Sequence, residues 1–298
     1  MQQLLVDELT GDHVILAPAR ALRPDTFRVH SAPLPAAVDS CPFCAGNETE
    51  TPPEVARTGD GAPDTPGWRV RVVPNKYPIV GRAVPGAHEV VILSPAHDRD
   101  FGALTETAAA EALLTVRDRT RALLAQGFVH TQAFVNHGKA AGASIEHPHA
   151  QVVALDFVPP GVQARLDRFT PERFTHDQHD RFVNGEVVAW CPRASTTPFA
   201  ARIAARAGGN RFDTAPEDTI TAVAVTLRDT LARIHGVLGE IAYNVVIETA
   251  PRDHDRQFHW WVDVVPRVTV MAGFELGTGV WVNIVAPADA AAALRAGR

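Results

Sequence analysis

The sequence predicts an α+β fold of two tandem units, with mostly antiparallel sheets and helices packed on them. Two observations predict it. The order strand-strand-helix-strand-strand occurs twice, and the last strands of the two halves align without a gap. A third concerns size and composition: 298 residues, 46% of them hydrophobic and 21% charged, suit a soluble globular chain with a large core.

In the first half, residues 68–73 and 88–93 read as strands, ended by Pro74-Asn75 and Ser94-Pro95. Residues 105–126 are Ala/Leu-rich with charges on the remaining positions, and Gly127 closes them as a helix. Residues 128–135 form a strand, followed by the small-residue stretch Asn136–Ser144 and a strand from His147 onward. The second half repeats the order: strands over 186–190 and 199–205, a helix over 217–238 closed by Gly239, then strands over 243–248 and 258–265. His147-Pro-His149-Ala-Gln151-Val-Val lies over His259-Trp-Trp261-Val-Asp263-Val-Val. The first histidine is kept, His149 becomes Trp261 and Gln151 becomes Asp263. A duplicated fold with one working and one degenerate site has this signature. The expected division is 1–165, carrying the chemistry, and 166–298.

Several function classes drop out. The net charge is −6 and no Lys/Arg run occurs, which argues against a nucleic-acid partner. No apolar run reaches membrane-spanning length, and Met1–Thr10 has neither a basic start nor an apolar core, so no secretory signal is read. Three cysteines do not suggest a disulfide framework. A cytoplasmic enzyme is the expectation.

The chemistry concentrates on His147-Pro148-His149-Ala150-Gln151. Residues two apart on a strand share a face, and Pro148 stiffens the backbone between the histidines. The Asn136–Ser144 loop could wrap a phosphate. If one ring nitrogen of His149 donates to a carbonyl, the other presents a lone pair able to attack phosphorus. The Gln151 amide can donate to a phosphoryl oxygen but cannot protonate a leaving group. That favours a covalent intermediate awaiting an acceptor, hence transfer over hydrolysis. Cys41-Pro-Phe-Cys44 lies in a Pro-rich segment and reads as a zinc knuckle. Its two thiolates need two more ligands. His147 and His97 are candidates, with His88 competing for the second place. Cys191 reads as an ordinary half-buried thiol.

These residues resemble the galactose-1-phosphate uridylyltransferase family of the histidine-triad superfamily over most of the chain. The resemblance rests on Leu9–Pro18 with Arg20 and Arg23-Pro24 behind it, Cys41-Pro-Phe-Cys44, Val73–Pro78, Ser94-Pro-Ala-His97 and His147-Pro-His149-Ala-Gln151. It implies that His149 is the nucleophile and that Gln151 steadies a nucleotidyl-histidine. It also implies a structural zinc on Cys41, Cys44, His97 and His147, so that His97 is selected over His88. Arg20 and Arg23 would lie near phosphates, Asn75, Asn136 and Ser144 would touch nucleotide or phosphate, and Glu275 would bind a hexose hydroxyl. Nucleotide sugar and sugar 1-phosphate are the implied substrates, and a homodimer with its active site near the subunit interface the implied assembly.

The first expectation is uridylyl transfer between UDP-glucose and galactose 1-phosphate. The alternative is an adenylyltransferase of the ADP-glucose phosphorylase type, which Gly273–Gly279, Phe258–Trp261, Asn136-His-Gly138 and Ala143-Ser144 resemble more closely. A second metal site of some relatives is expected to be missing, because Arg165 stands near its carboxylate position and Trp261 where a histidine would follow His259. A histidine-triad hydrolase and a non-catalytic zinc protein are the remaining readings.

Overall fold

Ten strands form one continuous sheet, and their order is nearly a palindrome about its centre. The computed structural model describes residues 2–22 and 40–297. The strands are β1 (Gln3–Val6), β2 (His13–Leu16), β3 (Ala56–Gly59), β4 (Trp68–Pro74), β5 (Gly86–Ile92), β6 (His130–His137), β7 (His149–Leu155), β8 (Asp180–Asn184), β9 (Val187–Cys191), β10 (Ala201–Ala205), β11 (Tyr243–Glu248), β12 (Trp261–Pro266) and β13 (Val280–Asn283). The α-helices are α1 (Glu106–Ala125), α2 (Pro160–Arg168), α3 (Pro171–Asp177), α4 (Glu217–Leu238), α5 (Gly273–Thr278) and α6 (Pro287–Ala296). The large sheet runs β3-β4-β5-β7-β6-β11-β12-β10-β9-β8, every neighbour antiparallel. A small sheet, β1-β2-β13, stands apart from it.

The two units join where β6 pairs with β11. Phe134 lies opposite Val246 there, and aligning His149 with Trp261 makes these same two residues equivalent. A pseudo-twofold axis therefore passes between them. The expected division at residue 165 falls inside α2, and both halves share one sheet and one core.

Alternation along the strands sorts the two faces. Ala150, Val152 and Ala154 of β7, Ala133 of β6, and Tyr243, Val245 and Ile247 of β11 face a core closed by Leu113, Val116 and Leu123 of α1 and Ile220, Val223, Leu227 and Leu231 of α4. Thr105 caps α1 by accepting the Ala108 N–H, and Gly127 ends it at φ +107°.

Among the described residues the opposite face is covered only at its ends. The Cys41–Cys44 turn packs on Trp68, Val73, Val90 and Ile92 at one end. At the other, Val162 and Leu166 of α2, Phe174 of α3 and Leu9 pack on Val188, Trp190, Ala204 and Trp261. Between the covers lies a groove over β7, β6 and β11, floored by half-buried Phe134 and Val246.

Arg202 locks the second cover. It is buried and meets Asp263 on the neighbouring strand (2.8 Å), Asp177 at the end of α3 (2.8 Å) and Asp7 (3.1 Å), under the ring of Trp261.

Three local departures from the expected elements have simple causes. β7 begins at His149 rather than His147, because Pro148 has no N–H to donate; its carbonyl still accepts the Leu93 N–H. β10 begins at Ala201, because Phe199 sits at φ +60°. Cys191 is fully buried rather than half-buried, and burial pushes its thiol up to about 12.

Arg202→Ala is expected to cost about 3–5 kcal/mol in urea unfolding, since it strands buried carboxylates. A second outcome concerns acid. Burial lowers His130, on β6, to about 4 from an ordinary 6.5. Below pH 6.5 the unfolded chain therefore takes up a proton that the native chain refuses. Its stabilisation is complete above pH 6.5 and is lost as pH falls toward 4, up to about 3 kcal/mol. His130→Leu should flatten that part of a stability–pH profile.

Candidate active site

His149 opens β7 with its ring held on two sides. Its Nδ1–H donates to the carbonyl of His147 at 2.8 Å. A carbonyl only accepts, so the proton sits on Nδ1 and the Nε2 lone pair is left for chemistry. Phe43 meets the ring edge-on at 5.3 Å. Burial lowers the His149 pKa, with the carbonyl bond opposing, so the ring is neutral near pH 7.

The same logic applied to His147 gives a ligand. Its Nε2–H donates to the Ser94 carbonyl at 2.7 Å, which turns the Nδ1 lone pair toward Cys41 Sγ (3.8 Å) and Cys44 Sγ (3.6 Å). His97 Nδ1 lies 3.3 Å from Cys44 Sγ. The ligand atoms of Cys41, Cys44, His97 and His147 all lie within 4.8 Å of one another. A tetrahedral ion bound to sulfur at about 2.3 Å and nitrogen at about 2.0 Å spaces its ligands roughly 3.3–3.8 Å apart. The three separations quoted fall in that range, so the residues fit a metal of this kind. Burial pushes His147 down to about 4, which keeps it in the neutral, ligating form.

Local hydrogen bonds shape the knuckle. The Cys44 N–H returns to the Cys41 carbonyl (3.2 Å), and Asn47 Nδ2 donates to the same oxygen (2.9 Å). Trp68 Nε1 holds Glu48 at 2.8 Å and ties the turn to β4.

Gln151 shares the His149 face, and its Oε1 lies 2.8 Å from His88 Nε2. The Ile79 N–H points at His88 Nδ1 (3.3 Å), so Nε2 carries the proton and donates to Gln151. That leaves the Gln151 NH2 as a donor into the groove. His88 is therefore a partner of Gln151 and lies outside the metal cluster. Asn75 joins this corner: its Oδ1 accepts the Tyr77 N–H (2.8 Å) and its Nδ2 lies 3.1 Å from the same His88 nitrogen.

The small-residue loop follows β6. Val135 pairs with Ala150, so Asn136 stands across from His149, one step further along the ladder. Asn244 of β11 donates from Nδ2 to Asn136 Oδ1 (2.8 Å) and to the Ala141 carbonyl (2.9 Å). Gly138, at φ +76°, passes so close to the residue before β11 that a Cβ there would meet Ala242 Cβ at 2.9 Å. Ser144 is exposed further along the loop.

The structure thus brings His149, Gln151, Asn75 and Asn136 together beside the four metal-ligand candidates. Arg20 lies in the 3-10 turn Pro18–Leu22 that follows β2. Arg23 lies outside the described residues. Glu275 does not join the cluster: its carboxylate accepts the Ala272 N–H at the start of its own helix, α5 (3.1 Å). Sequence reasoning missed Phe43, the His88–Gln151 bond and Asn244. The last had a signal, a polar residue inside the apolar run Tyr243-Asn-Val-Val-Ile.

In the second unit, His259 keeps the bond that orients His147, with Nε2–H donating to the Ala205 carbonyl (2.8 Å), but Phe174 stacks on its ring at 4.6 Å. Arg165 pairs with Glu248 at 2.7 Å.

The chain is similar to known proteins along most of its length. Residues 80–159 match the family described as galactose-1-phosphate uridyl transferase, N-terminal domain. The chain is 31% identical to an ADP-glucose phosphorylase of Arabidopsis thaliana, over 98% of this chain and 92% of that protein. It is 25% identical to a galactose-1-phosphate uridylyltransferase of Thermotoga maritima, over 99% and 98%. The crystal structure of an Arabidopsis thaliana ADP-glucose phosphorylase with bound ADP-glucose superimposes with a TM-score of 0.87 at 30% identity, covering 99% of this chain and 98% of that one.

Elemental analysis is expected to find about one divalent metal ion per purified chain. The Cys41→Ser/Cys44→Ser variant should retain none.

Proposed function

The chain belongs to the galactose-1-phosphate uridylyltransferase family, and on that footing we propose that it transfers a nucleoside monophosphate from a nucleotide sugar through a covalent bond to Nε2 of His149. The observation that carries this reading is the Nδ1–H bond to the His147 carbonyl. The neutral ring attacks the α-phosphorus. The bond from phosphorus to the bridging oxygen breaks, and its electron pair leaves on that oxygen with the sugar 1-phosphate. The ring becomes a cation, which the His147 carbonyl stabilises in place. A second phosphate then attacks the nucleotidyl-histidine and restores the neutral ring, so the kinetics are ping-pong. Gln151 donates its NH2 to a non-bridging oxygen in both steps. No acid is required, because a sugar phosphate is a good leaving group.

Adenylyl transfer of the ADP-glucose phosphorylase type has the stronger support, although the sequence put uridylyl transfer between UDP-glucose and galactose 1-phosphate first. The similarity to the Arabidopsis phosphorylase is higher than that to the uridylyltransferase, 31% against 25%. In that reading AMP passes from ADP-glucose to inorganic phosphate.

Zinc is the ion that suits two thiolates and two imidazoles, and four protein ligands leave it no open position. It would supply rigidity, holding the knuckle and with it Phe43. Thiolate ligands need a reducing compartment, which supports a cytoplasmic setting. No helix among the described residues is long and apolar enough to cross a membrane. A homodimer belongs to the same proposal, supported by exposed Val270, Phe274 and Leu276 on and before α5.

Intact-mass measurement tests the reading. ADP-glucose should add an AMP-sized mass to the wild-type chain and nothing to His149→Ala. A UMP-sized gain from UDP-glucose alone would move the chain to the uridylyl branch. No adduct from either donor, with His149 intact, would overturn the covalent mechanism.

A further inference from the structure

Across the groove from His149, the second unit places a cation that no part of the mechanism above uses. Arg267 follows β12, and its Nε donates to Asn244 Oδ1 at 2.5 Å. Asn244 in turn holds Asn136 and the Ala141 carbonyl of the small-residue loop. The guanidinium is thus bracketed onto the row that runs from His149 through Asn136 to Asn244. Adjacent strands are about 4.8 Å apart, so that row spans roughly 10 Å. An attacked diphosphate with a hydrogen bond at its far end covers such a distance.

Arg267 is exposed, and it differs from the arginines that the fold pairs with carboxylates. Arg71 sits on Glu54 and Asp64, Arg119 on Glu89, Arg165 on Glu248 and Arg202 on its three aspartates. Among the described residues no carboxylate lies within ion-pair distance of Arg267, and its one side-chain partner is a neutral amide. Partial burial lowers its pKa, with no charge opposing. Nε is committed, which leaves the terminal nitrogens as a fork, the geometry that binds phosphate in two parallel hydrogen bonds.

We propose that Arg267, steadied by Asn244, binds the phosphate monoester that leaves and re-enters the site. The proposal rests on the nucleotidyl-transfer reading given above. When the bond to the bridging oxygen breaks, the departing phosphate goes from one negative charge to two, while His149 gains one positive charge. A guanidinium without a counter-ion among the described residues stabilises that growing dianion, and in the second step it holds the attacking one. The ligand chemistry is a phosphate dianion, carried by a hexose 1-phosphate or by inorganic phosphate. The residue comes from the unit that has lost the catalytic histidine, so the second copy supplies the acceptor side of a site whose nucleophile lies in the first.

Calorimetric titration of the full chain with glucose 1-phosphate, and separately with inorganic phosphate, tests this. Arg267→Gln should weaken binding of the phosphate dianion roughly tenfold or more, and Arg267→Lys should recover part of it. The probe that loses affinity identifies the source of the dianion. Adduct formation at saturating nucleotide sugar should still reach completion in the Gln variant but more slowly, and the KM for acceptor should rise. Affinities within about twofold of wild type for both probes, or a wild-type chain that binds neither, would overturn the proposal. Failure of the wild type to form any adduct would sink the transfer reading instead, while the titration still decides whether Arg267 is a phosphate receptor.

Discussion

The hydrogen bond between His149 Nδ1 and the His147 carbonyl decides the tautomer of His149, the proposed nucleophile, and its strength depends on where that carbonyl is held. His147 is fixed at its ring as well as its backbone. One nitrogen is bound to Ser94 and the other faces two sulfurs. The metal-ligand candidates are therefore connected to the His149 ring through His147. Phe43 makes a second connection, because the turn that offers Cys41 and Cys44 also lays this ring against both histidines.

The two units fill equivalent space differently. Where the first has Gln151 with a donor open to the groove, the second has Asp263, already bound by Arg202. Arg202 also gathers Asp7 and Asp177, so the position equivalent to Gln151 helps to fasten the N-terminal segment and α3 to the sheet. Burial raises the Asp263 pKa, with Arg202 opposing it. One copy kept an unsatisfied donor and a lone pair facing open space; the other paired such groups internally.

Much of this was legible in the sequence because it is written locally. The repeated element order, the closing Gly127 and Gly239, and the Cys-x-x-Cys and His-x-His-x-Gln spacings each depend on residues close in the chain. The helix over 217–238 and the strand over 243–248 coincide with α4 and β11. What was hidden depends on pairing between distant segments. Asn244 meets Asn136 only because β11 pairs with β6, and His88 reaches Gln151 only because β5 pairs with β7. Glu275 was placed by likeness to a motif, and its carboxylate caps its own helix.

The seam between β6 and β11 has a further consequence. The row His149–Asn136–Asn244 crosses it, so half the groove floor belongs to each copy. A single unit severed at this line would expose β6 as an unpaired edge, a template for joining other chains. The join between the halves is thus the middle of a single fold.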